Sequence, residues 1–92
     1  IQMPTEITQV ESDGATVFSV NGEMLVDDAL LLERIVGAGL EAGRVVVDFA
    51  DLDFLESEAA PVLRRLQLRE GVAFQGVEIF LQSAIDTAER GG

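Results

Sequence analysis

The 92-residue sequence contains no lysine, histidine, cysteine, tyrosine or tryptophan, and all six of its basic residues are arginine. These absences exclude the commonest general base, thiol nucleophiles, disulfides, Schiff-base chemistry and zinc sites built from histidine and cysteine. Catalysis could rest only on Asp, Glu, Ser, Thr and Arg, and no sequence pattern supplies a pocket for a small carboxylate hydrolase. We therefore expect a binding or regulatory module that is not an enzyme and needs no cofactor.

Positive charge is scarce as well. The sequence has six arginines and 17 acidic residues, which gives a net charge of −11. Phosphate contacts require clustered positive charge, so we expect no binding to nucleic acid and no direct contact with an anionic membrane. A basic protein partner is compatible with this charge. No apolar run approaches the roughly 18 residues of a membrane span, and no signal-peptide pattern opens the sequence, so a cytoplasmic protein is expected.

The remaining composition is typical of a folded protein, with 48% hydrophobic and 25% charged residues. This amount of apolar sequence predicts a single domain over residues 1–92. The only aromatic residues are five phenylalanines, so the core should be mostly aliphatic.

Strand and helix patterns alternate after an initial hairpin, which predicts an α/β domain with a mixed sheet and right-handed parallel crossovers. The expected order is β-β-α-β-α-β-α. Two strands over 5–10 and 15–20 flank a turn at Ser12-Asp13-Gly14, and Asn21-Gly22 should end the second strand. The triplet 45–47 predicts a strand buried on both faces. A further strand is expected over 72–75.

Three segments have helical spacing. The first should begin near Asp27 and Asp28 and end at Gly43, and its internal Gly37 and Gly39 indicate close packing or a frayed end. The second is predicted over 57–70, and the third, amphipathic, over 78–89. The residues expected to face the core are Leu32, Ile35, Val36, Gly39 and Leu40 in the first helix, Ala59 or Ala60, Leu63 and Leu66 in the second, and Leu81, Ala84, Ile85 and Ala88 in the third.

The most unusual segment is 45–63, VVVDFADLDFLESEAAPVL, in which a buried strand leads through an acidic connector to Ser57 at the start of a helix. Ser57 is suited to be the N-cap of that helix, with Glu58 in its first turn. The acidic run lacks the residue order of a calcium loop, so a solvated rim is favoured over a metal site.

Several features of the sequence resemble the STAS domain family, named for sulfate transporters and anti-sigma factor antagonists. The family's strand ending in aspartate corresponds to Val45–Asp48, and its aromatic-aliphatic pair corresponds to Phe54-Leu55. Its Asp-Ser-Ser/Thr-Gly motif is represented by Glu56–Ala59, with three of four residues changed. Gly22-Glu23-Met24 and Gly76-Val77 are further matches, so the resemblance covers nearly the whole chain and implies a STAS-like mixed sheet.

The resemblance implies a role in partner switching. Anti-sigma factor antagonists bind a serine kinase that also sequesters a sigma factor, and phosphorylation of the motif serine releases them. Ser57 occupies the position of that phosphoacceptor. The alternative is an accessory STAS subunit that docks on the ATPase of an ABC-type lipid transporter.

The surface expected to bind the partner is centred on the acidic connector and the start of the second helix, and comprises Glu23, Glu56, Ser57, Glu58, Arg64 and Arg65. Three alternatives remain open. Ser57 could be only an N-cap, and the arginines with Arg69 could be a solvated face. The run Leu30–Leu32, for which core burial is favoured, could lie partly at an interface.

Overall fold

The computed structural model describes residues 5–77, and the predicted helix over 78–89, with Leu81, Ala84, Ile85 and Ala88, lies outside them. In order, the elements are strand β1 (Glu6–Ser12), strand β2 (Ala15–Met24), helix α1 (Val26–Leu40), strand β3 (Arg44–Asp48), strand β4 (Leu52–Leu55), a 3-10 turn (Ser57–Ala59), helix α2 (Ala60–Gln67) and strand β5 (Val72–Gln75).

Strand β2 is central to the sheet, whose order is β1-β2-β3-β5. It pairs with β1 in an antiparallel hairpin, and its residues 15–19 pair in parallel with β3. Its last residues, 22–24, pair in parallel with β4, which lies off this strand order, and β3 pairs in parallel with β5. The predicted α/β architecture with an initial hairpin and parallel crossovers is confirmed.

Both helices pack on the same face of the sheet and against each other. The two parallel crossovers run in the same direction across the sheet, and the right-handed connection that is the rule for such crossovers places α1 and α2 on one side. The core between helices and sheet is mostly aliphatic, with two buried phenylalanines, and its largest fully buried side chains are Phe18, Phe49, Met24, Leu32, Leu63, Leu66, Val20, Val36, Val45 and Val47.

The predicted end of β2 at Asn21-Gly22 is wrong. The strand continues to Met24, and Gly22 remains within it with a φ of +85°, which a glycine tolerates. The register with β4 shifts between Gly22 and Glu23. The segment predicted to be an acidic connector also contains a strand, β4, which extends the pairing of β2 beyond the end of β3.

Helix α2 is shorter than predicted. A 3-10 turn occupies 57–59, Pro61 lies in the first turn of α2, and the helix ends at Gln67. In α1, burial was favoured for the leucine run, but Leu30 and Leu31 are 43% and 47% exposed and only Leu32 is buried. One helix face is too narrow to bury three consecutive side chains.

Two smaller expectations are also decided by the structure. The central valine of β3, Val46, is half-buried, so this strand is fully buried on one face only. The glycines inside α1 reflect close packing, since the helix is continuous from Val26 to Leu40. Gly39 lies against Phe18 and Val45, and Gly37 lies against the guanidinium of Arg69.

Candidate functional site

Ser57 is exposed at the edge of the sheet where β2 and β4 both end. The N–H of Glu56 donates to the carbonyl of Met24 at 2.8 Å, so the chain leaves β4 alongside the last residue of β2. Glu56 is the N-cap residue of the 3-10 turn, and no side chain caps that turn. The prediction that Ser57 is the N-cap is therefore wrong, because Ser57 is the first residue inside the turn.

The carboxylate of Glu56 is directed to the start of α1. Its Oε1 accepts the N–H of Val26 at 3.0 Å, and the residue is half-buried. At the same helix end, Oδ2 of Asp28 accepts the N–H of Leu25 at 2.9 Å. Glu56 thus contacts a helix that lies 30 residues earlier in the sequence.

Glu23 lies on β2 directly opposite Phe54 of β4. Between the pairs Gly22–Leu52 and Glu23–Phe54, the extra residue Asp53 reverses the alternation of β4. As a result Leu52 is buried, whereas Phe54 is 49% exposed beside half-buried Glu23. An aromatic ring therefore lies on the surface three residues before Ser57.

The surroundings of Ser57 are strongly acidic. Carboxylates follow both strands at this edge, and the segments 5–33 and 45–63 contain no basic residue. The exposed acidic residues that follow the two strands are Asp27 and Glu58, whereas Asp51 and Asp53, also exposed, lie just before β4 and within it. Within residues 5–77 no three acidic side chains converge closely enough to hold a metal ion.

Arg65 lies on α2 and is engaged by Glu33 of α1. Its Nε and Nη2 donate to the two carboxylate oxygens at 2.6 and 2.7 Å. This hydrogen bonding lowers the pKa of Glu33, against a smaller opposing effect of partial burial, and raises the pKa of Arg65. The guanidinium of Arg65 therefore joins the two helices, although its side chain is 61% exposed.

Arg64 is half-buried, and its Nη1 donates to Oε1 of Gln67 at 3.3 Å. The structure thus brings Glu23, Glu56 and Ser57 together at the ends of β2 and β4, with Glu58 in the turn that follows. Arg64 and Arg65 lie farther along the chain, on α2.

Two exposed apolar residues of this region, Phe54 and Leu25, are not among the predicted contact residues, and Leu25 is 41% exposed. Phe54 was used only as half of an aromatic-aliphatic pair. The signal that could have identified it is the pattern Leu52-Asp53-Phe54-Leu55, in which two leucines three residues apart can both face the core only across a bulge.

Two solved structures have a similar fold. An anti-sigma factor antagonist from Mycobacterium paratuberculosis is 26% identical, with a TM-score of 0.61 over 80% of this chain and 68% of that one. An antisigma-factor antagonist STAS domain from Rhodobacter sphaeroides is 20% identical, with a TM-score of 0.59 over 78% of this chain and 86% of that one.

No protein-family model matches the sequence. No curated protein matches it either. Among residues 5–77, no helix has the length and apolar character needed to cross a membrane. The fold of this chain is similar to the folds of both solved structures, and its sheet order and two helices on one face are those of an α/β domain. The chain is a STAS-like α/β domain.

Proposed function

We propose that this protein is a partner-switching regulator of the anti-sigma factor antagonist type, which binds a serine-kinase anti-sigma factor. The observation that carries the proposal is the exposure of Ser57 at the start of a helical turn, within a fold like that of a solved antagonist. Ser57 is the proposed phosphoacceptor, and the protein would act in the cytoplasm without catalysing a reaction itself.

The contact surface that we propose is the end of β2 and β4 with the turn that follows. It offers two exposed apolar residues, Phe54 and Leu25, together with carboxylates that include Glu23, which lies opposite Phe54, and Glu58. A partner surface with an aliphatic or aromatic centre and basic residues around it complements this arrangement. Arg64 and Arg65 would lie at the margin of the contact.

Phosphorylation of Ser57 would add charge to a surface that is already acidic. A phosphoserine adds a charge of about −1.5 to −2 at pH 7, which would face the same partner surface as the existing carboxylates. The neighbouring Glu56 carboxylate is already hydrogen-bonded to the start of α1, whereas Glu58 is exposed. Phosphorylation would therefore change the charge of the surface that we propose the partner contacts.

The test is to incubate the protein with a serine-kinase anti-sigma factor recovered in a pull-down and to analyse it on a phosphate-affinity gel. Wild type should be retarded, Ser57→Ala should not, and Ser12→Ala, which removes an exposed serine of the hairpin turn, should behave as wild type. Identical behaviour of wild type and Ser57→Ala would refute the switch. Recovery of an ABC-type ATPase in place of a kinase in a pull-down would favour the transporter-subunit alternative.

A further inference from the structure

Glu56, the residue immediately before Ser57, is fixed by both its main chain and its side chain. Its N–H donates to the carbonyl of Met24 at 2.8 Å, and its Oε1 accepts the N–H of Val26 at 3.0 Å. Both partners belong to the junction between β2 and α1. The connector that carries Ser57 is therefore attached to this junction at two points.

Helix α1 lacks the local acceptor that most helices use at this end. The first N–H groups of a helix have no partner within it and are normally satisfied by a Ser, Thr, Asp or Asn side chain at the N-cap. Leu25 is the N-cap of α1, and a leucine side chain accepts no hydrogen bond. Asp28 accepts the N–H of Leu25, and Glu56 accepts that of Val26 from 30 residues away.

We propose that Glu56 is a positioning residue for the phosphorylation of Ser57, and this proposal rests on the function proposed above. In that reaction the γ-phosphoryl group passes from ATP to Oγ of Ser57, ADP leaves, and the hydroxyl proton passes to a base of the kinase. Glu56 takes no part in these transfers, because its carboxylate is bound to Val26. Its role is to hold the main chain so that Ser57 is presented outward.

This role separates Glu56 from Glu58, although the two glutamates flank the same serine. Glu56 is half-buried and directed to α1, whereas Glu58 is exposed in the 3-10 turn. Removing either carboxylate changes the charge beside Ser57 by the same amount. Glu58→Ala is therefore the matched control for Glu56→Ala.

The first measurement needs no partner and follows amide hydrogen exchange at Val26 by NMR. Loss of one charge-assisted hydrogen bond should accelerate exchange by about tenfold in Glu56→Ala. Glu56→Gln, which keeps an acceptor oxygen, should stay within about threefold of wild type, and Glu58→Ala should not change the rate. Unchanged protection in Glu56→Ala would overturn the anchoring role.

The second measurement is the rate of Ser57 phosphorylation by the partner kinase. Glu56→Ala should lower kcat, because Ser57 is misoriented in the bound complex, and Glu56→Gln should restore it. Glu58→Ala should act on KM. Urea unfolding of each variant shows whether a lower kcat merely follows from a loss of stability.

The two proposals fail in different ways. If the kinase phosphorylates wild type and Glu56→Ala with the same kcat, the positioning role is wrong and the proposed function stands. If the kinase does not phosphorylate wild type, the proposed function and the positioning role are both wrong, and faster exchange at Val26 in Glu56→Ala would then show only that Glu56 caps α1.

Discussion

Gly76 directly follows β5 and lies beside Asp48, the last residue of β3. The carboxylate of Asp48 accepts the N–H of Ala50 at 2.9 Å and a side-chain N–H of Gln75 at 3.3 Å. A Cβ on Gly76 would lie 2.5 Å from Oδ1 of Asp48 and 2.7 Å from the nitrogen of Ala50. Because Gly76 also has a φ of +67°, both its backbone conformation and its lack of a side chain are required.

We therefore expect Gly76→Ala to lower the free energy of unfolding by about 3 kcal/mol or more, from left-handed strain and the clash together. Gly14→Ala is the control, since its φ of +80° is similar but its Cβ would meet no atom within 4 Å. That variant should lose only about 1 kcal/mol. Urea unfolding measures both, and equal losses would show that crowding by Asp48 is unimportant.

At the scale of elements, α1 contains two glycines whose substitution should have opposite effects. A Cβ on Gly37 would lie 3.2 Å from Nη1 of Arg69, an exposed and flexible side chain that can move away. A Cβ on Gly39 would lie 3.2 Å from Val45 and 3.3 Å from Phe18, both buried in the core. Core side chains have little room to shift.

Gly37→Ala should raise the free energy of unfolding by up to about 1 kcal/mol, because alanine favours the helix over glycine by that amount. Gly39→Ala should gain the same propensity but lose about 1–3 kcal/mol to overpacking, for a net loss. Thermal unfolding followed by circular dichroism measures both variants. A stabilising Gly39→Ala would contradict the packing described for Phe18 and Val45.

The elements that could be predicted from sequence are those with a regular spacing of apolar residues, a run of β-branched residues or a clear turn signal. The helical spacing of α1, the β-branched residues of β3 and the hairpin turn at Asp13-Gly14 lead directly to the α/β order. Strand β4 could not be predicted, because the bulge at Asp53 breaks the alternation of buried and exposed residues. In addition, three of the seven residues 51–57 are Asp or Glu. The strand forms because it pairs with β2, a contact between distant parts of the sequence.

The same limit applies to the candidate site. The exposed Ser57 could be predicted from the motif that it occupies, since a short motif lies within one stretch of sequence. The inward direction of Glu56 could not, because it depends on where α1 begins in space. Nor could the pairing of Arg65 with Glu33, which are 32 residues apart and meet only when α1 and α2 pack together.

At the scale of the whole molecule, charge is unevenly distributed. Five of the six arginines, at positions 34, 44, 64, 65 and 69, lie in the described part of the chain, and none lies within 45–63, the segment that contains Ser57. The chain as a whole also carries a net charge of −11. Opposite charge on a partner raises the rate of encounter more than it prolongs the complex.

We expect the association rate with the basic partner to fall by about tenfold or more between 0.05 and 0.3 M salt, with a much smaller change in the dissociation rate. Stopped-flow fluorescence of a labelled partner measures both rates. The double variant Asp53→Asn, Glu58→Gln, which removes two exposed charges near Ser57, should reduce this salt dependence. A salt-independent association rate in wild type would contradict the proposed acidic contact surface.

Strand β2 and the segment 52–58 meet only through the finished sheet, since the pairs Gly22–Leu52 and Glu23–Phe54 join residues about 30 positions apart. A polypeptide whose β4 has not yet been synthesised, or has been lost to proteolysis, contains the β2 residues of this surface but cannot form the surface itself. A partner that recognises this edge therefore binds only copies in which β2 and β4 have paired. The activity of such a partner would then depend on the number of copies in which this pairing is intact.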